Sequence, residues 1–462
     1  MSHTNFDQLA SQLGDRFTTD AAVVVPLSAD ASTRNRKLVA NDWERPLAQA
    51  AVLATSTEDV VTTLTWANDN NVPVVTRGLG SGVTGSGVPV EGGIVLDLSG
   101  LDEIGEVDVT NRTVVVGPGV RLSDLEEHLK PYGLAGGHYP QSFHLASVAG
   151  SISMRGSGTF SSLYGNVEDR VGDLEVVLAD GTIVQTKSMP RASTGPDLKQ
   201  LFVGAEGTLG IITKVLWRLV PIPEQRLFQA FRFPSFADAA AVARQLLIDG
   251  IRPAVLRIYD PTEAAAKHAG FAGEDGWVMI LVFDGAKDLT DVQLATAKRL
   301  GAEHNAVDLG PEPAVDWEVK RFNWSWSTDK DVKGGIAEAI EITVNWSDLP
   351  AVYEHLKAKV TEEFGEFMAH VSHVYDQGAA LYTIVRADLP TDEEAIEAYN
   401  KVFKLVTEEA LASGARIAHH HGVGIERAPW MAAELGEGLN LFRRIKKALD
   451  PNGILNPGKM GL

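Results

Sequence analysis

Thr76-Arg77-Gly78-Leu79-Gly80-Ser81-Gly82-Val83-Thr84-Gly85-Ser86-Gly87-Val88-Pro89 places five glycines within ten residues, between two apolar runs. Glycine accepts positive φ and carries no side chain, so successive backbone N–H groups of such a loop can converge on a pyrophosphate. Ser81, Thr84 and Ser86 add hydroxyls and Arg77 adds a cation. The stretch reads as a phosphate cradle and its ligand as a dinucleotide; a glycine-rich surface loop is the alternative.

Gly80-x-Gly82-x-x-Gly85 matches the nicotinamide fingerprint, but that fingerprint must open a helix inside a strand–helix–strand unit of about 30 residues. Ile94-Val95-Leu96-Asp97-Leu98 returns as a buried strand too soon for a helix to fit. The doubly wound reading therefore fails. Strand, glycine loop, strand, with Arg77-Gly78-x-Gly80-Ser81-Gly82-x-Thr84-Gly85 in the loop, instead resembles the vanillyl-alcohol oxidase/p-cresol methylhydroxylase family of FAD enzymes. The resemblance implies an α+β protein with FAD as cofactor, built as a two-lobed FAD-binding domain and a separate α+β substrate (cap) domain.

Around the loop, strands are predicted at 51–55, 73–76, 93–98 and 113–117, with a helix opened by the capping start Ser56-Thr57-Glu58-Asp59 and another at 122–129. Ahead of them lies a short helix, Phe6 to Leu13, then polar irregular chain with Arg34, Arg36 and Lys37, read as a peripheral lead-in. Downstream, Gly136 to Ser153 is dominated by small and hydroxyl residues, which let backbone lie flat against a ring system and offer N–H and OH donors; a small-residue packing seam is the alternative. Pro140, Ser142, Ser147, Val148, Gly150 and Ser153 from this run, then Gly158, Tyr164 and Gly165, are expected at the cofactor. So are Glu206, Gly207, Gly210, Ile211 and Ile212 of Phe202 to Thr213. Asp450-Pro451-Asn452-Gly453-Ile454-Leu455-Asn456-Pro457-Gly458-Lys459-Met460 resembles the C-terminal signature of FAD-linked oxidases and brings Asn456. The expected division is a lead-in at 1–43, an FAD-binding domain at 44–223, a cap at 224–412, and a segment at 413–462 that completes the active site and returns to the FAD domain.

A length of 462 residues suits two or three domains, and 44% hydrophobic with 22% charged residues is ordinary for a globular protein. A net charge of −20 disfavours nucleic acid and anionic membranes as partners, so an anionic substrate needs a local basic pocket. The absence of cysteine removes disulfides, thiolate metal sites, Fe–S clusters and a cysteinyl link to flavin. No signal peptide, membrane span or peroxisomal address is visible, which makes a cytoplasmic location the expectation. The partner expected is a small-molecule substrate; the electron acceptor is left open and a homodimer is compatible with the sequence.

Ile417-Ala418-His419-His420-His421-Gly422-Val423-Gly424 is the sharpest feature of the C-terminal half. If the run is extended, His419 and His421 share one face, where two imidazoles can serve as base, acid or donor. A solvated strand end is the alternative. Together with His373-Val374-Tyr375-Asp376-Gln377-Gly378-Ala379-Ala380-Leu381-Tyr382 the run resembles the alkylglycerone-phosphate synthases most closely. That resemblance implies a catalytic Tyr382, a catalytic cluster His419, His420 and His421, and an active-site arginine at Arg257 in Leu256-Arg257-Ile258-Tyr259-Asp260.

The 2-hydroxyacid dehydrogenases are a second branch of the superfamily, and the glycine loop looks more like theirs. They place a metal-binding histidine near Tyr382, after an upstream one at His373; a tyrosine there means that no metal is expected, and His370-x-x-His373 is an incomplete pair. Cations for a phosphorylated substrate would come from Arg321, Lys330 and Lys333. No histidine lies in 76–89, so FAD is expected to be noncovalent, with His138 and His144 the only other attachment points in that half.

The function expected is that of an FAD-dependent oxidoreductase moving a hydride from a small hydroxylated, anionic substrate, a 2-hydroxyacid or alcohol, to flavin N5. Arg257 would orient the anion, Tyr382 would hydrogen-bond the reacting oxygen, and one of His419 to His421 would take the hydroxyl proton. The alternative is a synthase that exchanges acyl for alkyl on dihydroxyacetone phosphate. A flavin-binding module without turnover is a third reading, disfavoured by the acid–base groups.

Overall fold

The computed structural model describes residues 4–187, 189–268, 270–271, 273, 276–322 and 333–462. It divides into two compact units, Met1–Ser157 with Asn166–Val220 and His420–Leu462, and Gly158–Gly165 with Pro221–His419. Both mix helices and sheets, as the α+β expectation requires. Among the described residues no helix is long and apolar enough to cross a membrane.

The first unit carries a four-stranded sheet in the order Phe17–Thr18, Ala50–Leu53, Ile94–Asp97, Val74–Arg77, of which the last three run parallel. Helix Thr57–Asn70 carries the chain from Ala50–Leu53 to Val74–Arg77 on the far side of Ile94–Asp97, and the glycine loop then connects Val74–Arg77 to its parallel neighbour Ile94–Asp97. The start of the helix is fixed by Ser56, whose side chain accepts the Asp59 N–H, and its end by Asn71 in the left-handed region. Val60, Leu64 and Ala67, at helical spacing, are buried in the same core as Leu9, Val74 and Ile94. A second, antiparallel sheet runs Thr113–Val116, Ile211–Arg218, Val171–Val177, Ile183–Gln185.

The lead-in departs from expectation. Residues 20–40 are not irregular and peripheral: they form helices Ala21–Leu27 and Thr33–Ala40, capped by Asp20 and Ser32. Asp30, Ser32, Asn35 and Lys37 are buried, and the polar composition that suggests a solvated tail reflects side chains spent on capping and on holding the glycine loop.

The second unit is built on a seven-stranded antiparallel sheet ordered Val307–Gly310, Gln225–Phe233, Trp277–Gly285, Val255–Tyr259, Met368–Val374, Gly378–Asp388, Gly335–Asn345. Helices Phe236–Ile248, Leu349–Phe364 and Asp392–Ala412 share one core with Leu256, Ile258, Leu281 and Leu381. Side chains alternate along a strand, so Arg257 and Tyr259 stand on the face opposite that core. Register extends the face: Tyr259 pairs with His370, His370 with Tyr382, and Tyr382 with Glu341.

Candidate active site

The glycine loop hangs from the end of strand Val74–Arg77 and, with the last residue of that strand, is braced by three hydrogen bonds to residues 29–31 of the first unit. The Asp30 carboxylate accepts the Gly85 N–H at 2.6 Å, Gly82 accepts the Ala31 N–H through its carbonyl at 2.8 Å, and the Arg77 guanidinium donates to the Ala29 carbonyl. Gly80 and Gly85 take φ of 72° and 77°. A Cβ would come within 2.3 Å of Ser147 Oγ at Gly78 and within 2.4 Å of Ile425 at Gly85, so at these two positions the loop lies close against its supports. Arg77 stays close to Asp97 and Asp30, which oppose the fall in its pKa caused by burial.

Of the other expected cofactor residues of this unit, Ser147 and Asn456 meet the loop and Gly207 lies near the end of the strand that feeds it. Ser147 caps the short helix Val148–Ser153 by accepting the Gly150 N–H. The Ser153 carbonyl accepts the N–H of Glu206, itself at φ 50°. Gly207 follows at φ 73°, near the Thr76 hydroxyl. Gly210 leaves no room beside Val176, and Ile211 and Ile212 are buried at the start of Ile211–Arg218. Asn456 donates its side-chain N–H groups to the Ser86 and Glu206 carbonyls at 3.0 and 2.6 Å, tying loop to loop. Pro140 and Ser142 lie in a turn whose carbonyls accept the N–H groups of Phe143 and of Leu145 and Ala146. Thr76 Oγ1 and Asn456 Oδ1 are buried without a protein partner, so hydrogen-bonding capacity is left over among these loops, as a polar dinucleotide requires.

Glu206 anchors the C-terminal segment. Its carboxylate accepts the N–H groups of Val423 and Gly424 at 2.6 and 2.9 Å, and burial raises its pKa to about 7 against those bonds and the charges of Lys459 and Arg427. Thr84 donates its hydroxyl to the His421 carbonyl at 3.1 Å and accepts the Ile425 N–H through its own carbonyl. The histidine run is therefore not an extended strand with alternating faces. Gly422 and Gly424 take φ of 79° and 52°, and the rings of His420 and His421 meet at 4.5 Å.

Gly158, Tyr164 and Gly165 belong to the second unit. The Gly158 carbonyl accepts from His373 at 3.1 Å, the Tyr164 hydroxyl donates to Asp284 at 2.9 Å, and the Gly165 N–H goes to Ser161.

Arg257, Tyr382 and His419 come together with partners on that unit's sheet. His370 and His373 are three residues apart, so simple alternation would turn them to opposite faces. The register shifts between Val371 and His373, with Ser372 as the extra residue, and His373 pairs with Ala380 two places before Tyr382. Both imidazoles consequently share the face of Arg257 and Tyr382. His373 is held neutral by burial, its Nε2–H on Gly158 and its Nδ1 2.9 Å from the Ser372 hydroxyl. His419 packs its ring on His373 at 4.7 Å, shares a 2.6 Å hydrogen bond with the Tyr375 hydroxyl, and donates its backbone N–H to Glu341.

His370 bonds through Nδ1 to Glu263 at 2.7 Å, through Nε2 to Arg257, and stacks on Tyr382 at 5.0 Å and 13°. Both nitrogens of His370 are engaged in these contacts. Arg257 has no carboxylate partner among the described residues, and its Nε is buried without one. Of the cations considered for a phosphate, Arg321 lies over the Phe322 and Phe160 rings, Lys333 is exposed, and Lys330 falls outside the described residues. Asp30, Glu263 and the special place of His370 were beyond motif reading; the capping start Ser32-Thr33-Arg34-Asn35 is the one local signal that could have pointed to Asp30.

A glycine loop with spare buried hydrogen-bonding groups in one unit, and in the other a sheet face with an arginine lacking a carboxylate partner among the described residues beside tyrosine and neutral imidazoles, are features that suit a flavoenzyme. Residues 48–187 match the family described as FAD binding domain, and residues 222–460 that described as FAD linked oxidases, C-terminal domain. The chain belongs to the FAD-linked oxidases and is an FAD-binding oxidoreductase. It is 31% identical to the uncharacterized FAD-linked oxidoreductase YgcU of Escherichia coli, over 98% of this chain and 97% of that one. It is 30% identical to the mitochondrial D-lactate dehydrogenase (cytochrome) of Arabidopsis thaliana, over 88% and 72%. A solved alkyldihydroxyacetonephosphate synthase shares the fold with a TM-score of 0.81 and 24% identity, over 98% of this chain and 85% of that one.

Proposed function

We propose that the protein oxidises a small 2-hydroxyacid, and that the observation carrying this is the guanidinium of Arg257, which has no carboxylate partner among the described residues, on the sheet face of Tyr382. A guanidinium offers a planar fork suited to one carboxylate, and with no acidic partner among the described residues its charge is available to a substrate anion. A phosphate dianion asks for more cations, and Arg321 is engaged with aromatic rings and Glu318. The likeness to a D-lactate dehydrogenase supports the same substrate class.

FAD would be held noncovalently by the glycine loop, the Ser147–Ser153 turn of helix, the Glu206–Ile212 segment and Asn456, and supplies a two-electron acceptor when bound. In this reading 44–223 with the C-terminal tail forms the FAD-binding part and 224–412 the cap. Arg257 binds the substrate carboxylate and Tyr382 hydrogen-bonds the hydroxyl oxygen. One histidine of His419 to His421 removes the hydroxyl proton; His419 is the best supported, because Tyr375 and the Glu341 carboxylate orient it. Noncovalent attachment is supported by the absence of histidine from the loop. Heat or acid precipitation of the holoenzyme is expected to leave all flavin in the supernatant; flavin in the pellet contradicts it.

The test of the reaction is an anaerobic screen of the yellow protein with glycolate, D- and L-lactate, simple alcohols and acyl-dihydroxyacetone phosphate. A hydroxyacid is expected to bleach the flavin band. Release of fatty acid from the acylated phosphate without lasting bleaching would replace this reading by the synthase.

A further inference from the structure

The second unit contains a buried chain of contacts with a fixed polarity. Glu263, from helix Pro261–Lys267, is fully buried and carries Lys267 on one oxygen and His370 Nδ1 on the other. The Glu263 carboxyl is held below its ordinary range by the His370 and Lys267 contacts, which outweigh its burial. An ionised carboxylate only accepts, so His370 must place its proton on Nδ1, which leaves a lone pair on Nε2. A guanidinium only donates, and Arg257 Nη2 meets that lone pair. The direction of every bond from Arg257 through His370 to Glu263 is thereby determined.

We propose that His370 is the positioning residue for substrate recognition: ordered by Glu263, it holds Arg257 by a single N–H and Tyr382 by its ring face, and leaves the remaining Arg257 donors for a substrate carboxylate. This rests on the reading of Arg257 as the anion-binding group. A carboxylate would orient Arg257 equally well but would cancel its charge, whereas a neutral imidazole orients it and leaves the charge intact. Burial lowers the pKa of His370 to about 4, so the ring keeps its lone pair at neutral pH. Stacking on Tyr382 at 13° couples the group that would meet the carboxylate to the group that would meet the hydroxyl. His370 itself is only 3% exposed, which fits a support rather than a contact.

Two amide variants separate the hydrogen-bonding role from packing. The longer amide of His370→Gln can donate to Glu263 and accept from Arg257; His370→Asn keeps the first bond and falls short of the second. Binding of oxalate to the flavin-loaded protein is measured by calorimetry for wild type, H370Q, H370N and R257A, with flavin content and melting temperature as controls on folding. H370Q is expected within about threefold of wild type, H370N about tenfold weaker, and R257A weaker still. With any hydroxyacid found to reduce the flavin, H370N is expected to raise KM more than it lowers kcat. Equal binding by H370N and wild type, with R257A impaired, overturns the role of His370 and leaves the anion site standing. Equal loss in H370Q and H370N also overturns it. No binding to wild type, or binding untouched by R257A, removes the anion site and the proposal together.

Discussion

In the glycine loop the groups that hold the shape are mostly backbone: the Gly85 N–H on Asp30, the Gly82 carbonyl under Ala31, and two glycines at positive φ. On the sheet face of the second unit they are side chains from three strands, Arg257, His370 and Tyr382, aligned by register and joined by one imidazole. A backbone cradle fails where an added Cβ would meet its supports, as at Gly78 and Gly85. A side-chain cluster fails when one donor or acceptor is lost, while the sheet beneath it survives. Flavin binding and substrate chemistry should therefore break separately.

The largest effect is expected at Gly424, where φ is 52° and a Cβ would stand 1.9 Å from the Thr84 carbonyl oxygen. Gly424→Ala should cost on the order of 4 kcal/mol or more and deliver protein without flavin, read from the ratio of visible to ultraviolet absorbance and from thermal melting. Arg257→Ala should do the reverse: full flavin content and an unchanged melt, with kcat/KM for the hydroxyacid down roughly a hundredfold to a thousandfold. A loss of flavin in that variant would erase the contrast between the two regions.

Asp30→Asn is expected to be intermediate. Asp30 also accepts from Ser32 and Asn35, so neutralising it should cost about 1–3 kcal/mol and weaken FAD retention about tenfold, measured by dilution of the holoenzyme.

The smallest effect at neutral pH concerns His138, buried with both nitrogens unpaired and its pKa lowered to about 3, by burial first and by Arg170 second. An unfolded imidazole takes up a proton as pH falls through about 6.5, and the folded one does not until about 3, so this residue lowers stability progressively on acidification across that window. His138→Leu, which cannot titrate, should flatten the acid side of the stability profile by about one proton, near 1.4 kcal/mol per pH unit, and change little at pH 7. An unaltered acid slope would contradict the buried neutral assignment.

The two regions also differ in how far sequence reveals them. The loop is contiguous, and the early return of Ile94–Asp97 was enough to reject the dinucleotide fold with a helix after the loop. Its brace from Asp30 lies 55 residues before Gly85 and could not be read from the loop itself. Arg257 and His370 are 113 residues apart, and their meeting depends on which strands pair. The irregularity at Ser372, which returns His373 to the working face, has no signature in Val371-Ser372-His373. The three consecutive histidines invited an alternating reading, and Gly422 and Gly424, visible in the sequence, are what bend the chain out of it.

The most direct test is the flavin spectrum under anaerobic addition of a 2-hydroxyacid, compared between wild type and Arg257→Ala. The account predicts rapid bleaching in the wild type and slow or absent bleaching in a variant that is equally yellow. Bleaching at the same rate in both, or none by any hydroxyacid in the wild type, would contradict it.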